Sequence, residues 1–194
     1  MTTRSDQKEI RRKQILTAAL DLLIQKGFAG TKISDIANAV GMSVGLLFHY
    51  FDSKERIYEE LVQMGFAKSQ SMMTANRAEP LAFFENMAEL ILDQAGNDPF
   101  SAKMFVLMSQ AAANDFLPEE IRNHLKGDVI RKSAKIIRAG QSDGTIRKGD
   151  PLALSVAFWA AIQGICQVIA LDADLPCPDS SWVVDILRNK KTGG

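Results

Sequence analysis

The sequence is poor in the residues that build metal sites, disulfide frameworks and most catalytic centres. Its 194 residues include two cysteines and two histidines. Cys166 and Cys177 match no common metal-ligand spacing, so we expect reduced, structural thiols in a cytoplasmic protein. His49 and His124 occur without a phosphate-binding loop, a metal motif or a nucleophile elbow. The sequence therefore predicts no catalytic residues, no metal site and no cofactor.

Segments for export or membrane insertion are also scarce. The chain begins MTTRSDQKEI, which carries charges and no apolar run, and this predicts no signal peptide. The stretch from Leu152 to Leu171 is uncharged and about long enough to span a bilayer. It contains Ser155, Gln163 and Gln167, however, and no second stretch resembles it. We therefore expect a buried helix at the centre of the protein or of a dimer, and no membrane partner.

The chain has no net charge, but its charges are not evenly spread. Residues 1–56 carry nine Lys/Arg and six Asp/Glu, a net charge of +3, which leaves −3 on residues 57–194. A basic N-terminal part indicates that any nucleic-acid contact lies there. Hydrophobic residues make up 46% of the chain, which is ordinary for a soluble globular protein.

Helix signals, in contrast, run along the whole chain. Apolar residues at spacings of three and four from Ile15 to Leu23 predict a first helix that ends at Gly27. Ser43 and Ser53 are natural N-caps for a third and a fourth helix. Later helices are predicted over 80–95, 99–114, 118–141, 151–172 and 179–190. Because no useful strand pattern occurs, the predicted class is all-α.

Two short helices joined by a tight turn have the proportions of a DNA-binding helix-turn-helix. They are predicted over 33–40 and 44–51, with the turn at 41–43. Gly41 permits the turn, and Ser43 caps the second helix. Gly45 has no side chain, which would let the backbone approach DNA closely. The second helix is therefore the predicted recognition helix.

The residues around this motif occur in a specific order. They read ILTAAL at 15–20, Gly27-Phe28, TKISDIA at 31–37, VGMSVGLLFHYF at 40–51 and SKE at 53–55. Over about residues 10–60 this order resembles the DNA-binding signature of the TetR family of transcriptional regulators. The resemblance implies an all-α fold with a three-helix DNA-binding head, residues 1–53. A connecting helix would join it to a helical ligand-binding and dimerisation domain, residues 54–194.

The resemblance also implies DNA contacts for individual residues. The implied DNA-binding residues are Thr31, Ser43, Tyr50 and Lys54 at phosphates, Val44 and Leu46 at base edges, Ser34 and His49 at the groove or the backbone, and Gly45. Basic residues of the N-terminal arm, which are Arg4, Lys8, Arg11 and Arg12, would add electrostatic attraction.

The recognition helix departs from the family pattern at three positions. Phe48 stands where the family usually has tyrosine, so a phosphate-binding hydroxyl is missing. Val44 and Leu46 are apolar where polar or basic side chains are common. Hydrogen-bonded base readout is therefore weak, and contact with thymine methyl groups and DNA shape must contribute more. We hypothesise an AT-containing half-site.

The C-terminal part has material for an apolar ligand pocket, as the resemblance implies. Methionine adapts well to irregular cavities, although plain core packing is the alternative for each Met and Phe. Two glutamines lie one turn apart on an otherwise apolar helix, where a ligand, a water or a dimer mate would have to pair their amides. The candidate ligand-binding residues are Phe66, Phe84, Met87, Met104, Met108, Trp159, Gln163 and Gln167.

A homodimer formed by the last two long helices is a further implication of the resemblance. Small residues would allow close helix approach, and the last helix has one apolar face. The candidate dimerisation residues are Ala157, Ala161, Gly164, Trp182, Val183 and Ile186. Such a dimer would hold two recognition helices ~34 Å apart, which is the spacing of a palindromic site on double-stranded DNA.

The function implied is that of a sequence-specific transcriptional regulator, a repressor released from its operator by a small, largely apolar ligand. An enzyme would need convergent polar residues in the C-terminal part, and few are visible. A helical binding or DNA-organising protein without promoter-specific regulation stays open, because Val44 and Leu46 are apolar. Salt-dependent, sequence-selective DNA binding would separate the two.

Overall fold

A computed structural model shows a helical protein that divides into two compact units, residues 1–67 and 68–194. The structure describes residues 4–75, 79–111, 117, 119, 122 and 128–189. The boundary between the units falls inside one long helix. The helices of the described ranges are α1 (Arg4–Gly30), α2 (Ile33–Ala39), α3 (Val44–Phe48), α4 (Lys54–Ala75), α5 (Pro80–Asn97), α6 (Pro99–Ala111), α7 (Asp128–Ser142), α8 (Pro151–Leu171) and α9 (Ser180–Val184).

Most of the predicted helix boundaries lie where the sequence placed them. Gly27 has φ 69° and interrupts α1, so that residues 28–30 form a separate last turn. Asp98 and Asp150 cap α6 and α8, since their carboxylates accept hydrogen bonds from the backbone amides of Phe100 and Leu152 at 3.1 and 2.9 Å. The all-α prediction is confirmed. Most of residues 112–127 lie outside the described residues. They include the end of the predicted helix 99–114 and the first part of the predicted helix 118–141.

The first unit packs α1, α2, α3 and the first part of α4 around one core. Fully buried side chains from all four helices meet there, and they include Ile15, Leu20, Ile36, Leu47 and Leu61. At the surface of this unit, Lys26 of α1 donates to Asp35 of α2 at 3.1 Å. This hydrogen bond lowers the pKa of Asp35, so the carboxylate stays charged at neutral pH.

The second unit is built around α8, which packs against α5, α6 and α7. Aromatic rings form a continuous edge-to-face series, with centroid distances of 5.1 Å for Phe83–Phe84, 5.0 Å for Phe84–Phe158 and 5.3 Å for Phe158–Trp159. Such pairs add to the stabilisation from apolar burial. The series therefore ties α5 to α8 at the centre of this unit.

Helix α8 has a buried face and an exposed face within one chain. By length and composition it could cross a bilayer: an 18-residue stretch of it has a mean hydropathy of 1.8, and 33% of that stretch is buried. Phe158, Ile162 and Cys166 are fully buried, whereas Val156 and Val168 are about half exposed. The other described helices of the unit cover one side of α8, and its burial at the centre of a dimer stays a prediction.

The two cysteines are free thiols, and both are shielded by this unit. Burial raises the pKa of Cys166 to about 12, and it also raises the pKa of Cys177. Both groups therefore stay protonated at neutral pH, which makes them poor nucleophiles. This agrees with the structural role predicted from the sequence.

The last helix is shorter than the predicted 179–190. Helix α9 ends at Val184, and the chain then pairs with the loop after α7. Ile146 and Arg188 form an isolated antiparallel bridge, and the Arg147 amide donates to the Leu187 carbonyl at 2.8 Å. Because this loop satisfies the backbone groups after α9, the chain leaves the helix early.

Gly140 lies where α7, α5 and this loop meet, and it leaves no room for a methyl group. A Cβ atom built there would lie 2.6 Å from Cδ1 of Ile146 and 3.0 Å from Cβ of Pro80. We expect Gly140→Ala to lower the free energy of unfolding by about 2 kcal/mol, because overpacking exceeds the gain in helix propensity. Urea denaturation measures this change.

The double variant Gly140→Ala/Ile146→Ala provides the control, since alanine lacks both of the closest Ile146 atoms, Cδ1 at 2.6 Å and Cγ1 at 2.7 Å. Ile146→Ala should cost less in the Gly140→Ala protein than in the wild type, with a coupling of about 1 kcal/mol. Equal costs in the two backgrounds would contradict steric conflict at this position.

Candidate nucleic-acid interface

The turn between α2 and α3 has the geometry predicted from the sequence. Gly41 has φ +64°, a left-handed conformation that side chains other than glycine rarely adopt. The amide of Met42 donates to the carbonyl of Ala37 at 2.9 Å, which closes the turn. Leu47 is fully buried and Met42 nearly so, and together they hold α3 on the unit's core. The two helices therefore form a compact helix-turn-helix.

The start of α3 is capped and open to solvent. The hydroxyl oxygen of Ser43 accepts a hydrogen bond from the amide of Leu46 at 3.2 Å, so the predicted N-cap is confirmed. Ser43 is exposed, and its own proton points to a further acceptor outside the helix. A Cβ at Gly45 would meet nothing within 4 Å. The backbone of the first turn is thus accessible to a partner as large as DNA.

The outward surface of α3 is mainly apolar. Leu46 and Phe48 are 46% and 44% exposed, and His49 beside them is exposed as well. Val44 and Tyr50 are half-buried, as is Ser34 on α2. Of the predicted DNA-binding residues, Leu46, His49 and Tyr50 line one groove at the surface of the first unit.

Thr31 does not face this surface. Its side chain is buried, and its hydroxyl donates to the Gly27 carbonyl at 2.8 Å, with the Leu22 carbonyl at 3.2 Å. The expected phosphate contact is therefore corrected: this hydroxyl satisfies carbonyl groups that the break at Gly27 leaves without helical partners.

Lys54 has an internal role as well, and its expected phosphate contact stays a prediction. Its ammonium group donates to the carbonyls of Phe28 and Thr31 at 2.7 and 2.8 Å. It also lies 4.1 Å from the centroid of the Phe28 ring, within cation–π range. Because three groups of the α1–α2 connection hold this cation, Lys54 fixes the connection to the start of α4.

Arg12 holds the end of the recognition helix. Its guanidinium group donates to the carbonyl of Tyr50 at 2.8 Å, forms an ion pair with Glu60 on α4, and lies 4.3 Å from the centroid of the Phe51 ring. The expectation that Arg12 attracts DNA from an N-terminal arm is therefore corrected. The sequence offered no signal for this contact, because Arg12 and Glu60 are 48 residues apart.

The predicted ligand residues separate into two groups. Phe84, Met87, Met104 and Trp159 are buried, and Met108 is half-buried. Phe66 is half-buried and belongs to the first unit. Gln163 and Gln167 lie on the exposed face of α8, so the expectation of buried amides is wrong. The inward positions of this helix are taken by apolar side chains.

The predicted dimerisation residues separate in a similar way. Ala157, Gly164 and Trp182 are exposed, and Ala161 and Ile186 are half-buried. Val183 is buried in the core of its own chain, which removes it from the set. Large apolar side chains that were not predicted as interface residues also lie on the exposed face of α8. They are Leu152, Val156, Val168 and Leu171. Leu152, Val156 and Val168 are separated by multiples of four residues.

Comparison with known proteins identifies relatives of this arrangement. The family described as "Bacterial regulatory proteins, tetR family" matches residues 15–61. The chain is similar to the HTH-type transcriptional regulator RutR of Escherichia coli (strain K12), with 32% identity over 162 residues, 82% of this chain and 76% of RutR. It is also similar to IcaR of Staphylococcus aureus (strain Newman), a negative transcriptional regulator of a biofilm operon, with 29% identity over 60% of each chain.

A solved structure shares the fold over nearly the whole chain. It is that of AibR in complex with isovaleryl coenzyme A and operator DNA. The TM-score is 0.66 at 18% identity, and the alignment covers 90% of this chain and 94% of AibR. At this identity the likeness concerns the fold alone.

We expect Arg12→Ala to weaken binding to duplex DNA by releasing the end of α3. The free energy of unfolding should fall by about 2 kcal/mol, because a charged donor is lost from a backbone carbonyl. Since Arg12 faces inward, the slope of log Kd against log salt should equal that of the wild type. Unfolding curves and DNA titrations at several salt concentrations measure both quantities.

Glu60→Gln is the matched variant. Removal of a negative charge should strengthen DNA binding if only the overall charge matters. Loss of the ion pair should instead weaken it, because Arg12 is then no longer held beside Tyr50. Tighter binding by Glu60→Gln would contradict the positioning role.

Proposed function

The chain belongs to the tetR family of bacterial regulatory proteins and is a helix-turn-helix transcriptional regulator, not an enzyme, and we propose that it is a cytoplasmic repressor that leaves a palindromic operator when a small molecule binds. Residues 1–53 act as the DNA-binding domain, and residues 54–194 as the ligand-binding and dimerisation domain. The observation that carries the proposal is the capped, exposed recognition helix on a closed helix-turn-helix. The negative regulation named for IcaR supports repression.

The apolar surface of α3 supports recognition of an AT-containing half-site. Leu46 exposes hydrocarbon, and Val44 is half-buried, at the positions where hydrogen-bonding side chains would read base edges. A thymine methyl group is the apolar feature of the major groove, so an exposed leucine favours it. Ser43, Gly45, His49 and Tyr50 adjoin this surface and contact the backbone.

The exposed face of α8 supports a homodimer. Val156, Val168 and Leu171 on α8 and Trp182 on α9 are each at least half exposed. Exposed large apolar side chains such as these are typical of a protein interface. Gly164, with nothing within 4 Å of a built Cβ, leaves room for a second helix to approach. A second copy of the chain is the occupant, since a palindromic operator requires two-fold symmetry.

The interior of the second unit supports a largely apolar ligand. Trp159 donates to Ser133, and Ser155 to the Ile130 carbonyl, both at 2.9 Å. Among the described residues, no buried side-chain nitrogen or oxygen lacks a hydrogen-bond partner. A ligand that enters among Phe84, Met87 and their neighbours therefore finds mainly hydrocarbon, and polar groups would lose hydrogen bonds to water.

Helix α4 provides the connection for the ligand response. It begins at Lys54 in the first unit and ends at Ala75 in the second. A ligand that favours one orientation of α4 changes the spacing of the two recognition helices in the dimer, and operator affinity falls by the ratio of the ligand's affinities for the two states.

A second candidate function is DNA organisation without promoter-specific regulation. The apolar side chains of Val44 and Leu46 favour it, because phosphate contacts alone give binding without sequence preference. Selection of bound sequences from a random duplex pool separates the two functions.

We expect this selection to return an inverted repeat with A·T pairs in each half-site. Leu46→Ala should relax the preference at one position of each half-site, with a discrimination loss of about 1–2 kcal/mol at that position. A GC-rich consensus would refute the methyl-contact hypothesis. No enriched sequence from a folded dimer would favour the DNA-organising function.

Dimerisation through α8 is tested by Val156→Glu. A carboxylate in this interface would be buried without a partner, so the dimer should dissociate at micromolar concentration. Operator affinity should fall at least a hundredfold, because the two heads no longer bind as one unit. Sedimentation equilibrium measures the assembly. Leu90→Glu, at an exposed apolar position on α5, is the control and should stay dimeric. A dimeric Val156→Glu would exclude this face.

A further inference from the structure

A groove on the first unit separates the N-terminal half of α1 from the exposed side of α3. It has a volume of about 790 Å³, and its lining includes Lys8, Arg11 and Gln14 from α1 and Leu46, His49 and Tyr50 from the recognition-helix region. These side chains are exposed, apart from the half-buried Tyr50. The space is therefore an open channel on the surface, and a chain-like ligand can pass along it.

We propose that this α1–α3 groove binds the sugar-phosphate backbone of the DNA strand that borders the base-reading surface, with Lys8 and Arg11 as phosphate-binding residues. The proposal rests on the proposed DNA-binding function and assigns the backbone contacts within it.

The charge of the groove selects an anion. Lys8 and Arg11 are both cationic, and none of the lining residues is a carboxylate. Arg11 donates to the side-chain oxygen of Gln14 at 3.0 Å, which leaves the amide NH₂ of Gln14 to donate outward. Both cations and the Gln14 amide can thus donate into the groove, and a phosphate oxygen is a pure acceptor.

The position of the groove selects DNA among anions. Leu46 belongs both to the groove and to the outward, base-facing surface of α3. A helix in the major groove has a phosphate backbone on each side. The strand that passes His49 and Tyr50 therefore continues along α1, where the next cations are Arg11 and Lys8.

The inward contacts of neighbouring residues increase the need for further phosphate-binding groups. Thr31 is buried and donates to the Gly27 carbonyl, and Lys54 uses two of its three donors on the carbonyls of Phe28 and Thr31. Phosphate contacts supply most of the salt-dependent affinity of DNA-binding proteins. Lys8 and Arg11 provide this charge on a helix that Arg12 fixes to the end of α3, so the groove is preformed before DNA binds.

The experiment measures Kd against salt concentration for Lys8→Ala, Arg11→Ala and the double variant. The probe is the operator duplex selected by the wild type, or a random duplex of equal length if no sequence is enriched. Each lost phosphate contact should lower the slope of log Kd against log salt by about 0.9. This corresponds to about eightfold weaker binding at 0.1 M salt for one variant, and the two effects should add in slope.

Lys13→Ala is the matched control. Lys13 is exposed on the same helix, carries the same charge and is not part of the groove lining. We expect its slope to equal that of the wild type and its Kd to change less than twofold, because a charge outside the groove acts only through screened solvent. Thermal unfolding verifies that all variants fold, since the substituted side chains are exposed.

The outcomes separate the groove from the wider function. Wild-type slopes for Lys8→Ala and Arg11→Ala, with specific binding retained, would overturn the groove and leave the regulator intact. Reduced slopes on a random duplex, with no enriched sequence, would support the groove and overturn promoter-specific regulation. A slope lowered equally by Lys13→Ala would mean that only overall charge matters, and it would also overturn the site.

Discussion

The recognition helix α3 has five residues, and a helix of that length has no stability of its own. Its position depends on contacts at both ends. Ser43 caps its start, Leu47 buries its inner side, and Arg12 binds the carbonyl of Tyr50 just beyond its end. The Arg12 contact matters most for function, because it joins α1, the end of the recognition helix and Glu60 of α4. The position of α3, and with it the proposed base-reading surface and the α1–α3 groove, therefore depends on Ser43, Leu47 and Arg12 together.

The basic residues of α1 and of the start of α4 have two different surroundings in the first unit. Arg12 and Lys54 face inward, and both bind backbone carbonyls near helix ends. Arg11, which directly precedes Arg12, lines the α1–α3 groove. A basic segment thus contains two kinds of cation: one organises the helix-turn-helix, and the other is proposed to contact DNA. Net charge alone does not distinguish them, whereas the salt dependence of binding does.

In the second unit, the apolar residues of α8 likewise fall into two groups, one buried and one exposed. One face of α8 forms the core with α5, α6 and α7, and the opposite face carries Val156, Val168 and Leu171 at the surface. The same helix therefore supports both the proposed ligand site and the proposed dimer. Gln163 and Gln167 belong to the second of these, where they can pair across an interface or with water.

Much of the architecture followed from local signals. Cap residues, the glycines at 27 and 41 and the spacing of apolar residues predicted the helices, the turn and the all-α class, because these effects act within a few residues of the chain. The ordered residues of 10–60 also carried the family resemblance that the comparisons established.

Contacts between segments that are distant in the sequence could not be predicted from these local signals. The inward roles of Arg12, Thr31 and Lys54 depend on carbonyls that other helices bring close, and the sequence shows only that these side chains are polar. The early end of α9 depends on pairing with residues 145–147. An almost wholly apolar helix such as α8 has no polar stripe to mark its outer face, so only packing decided which side is exposed. The sequence by itself thus determined the helices, the helix-turn-helix and the family, whereas the tertiary structure decided which cations and which apolar residues face a partner.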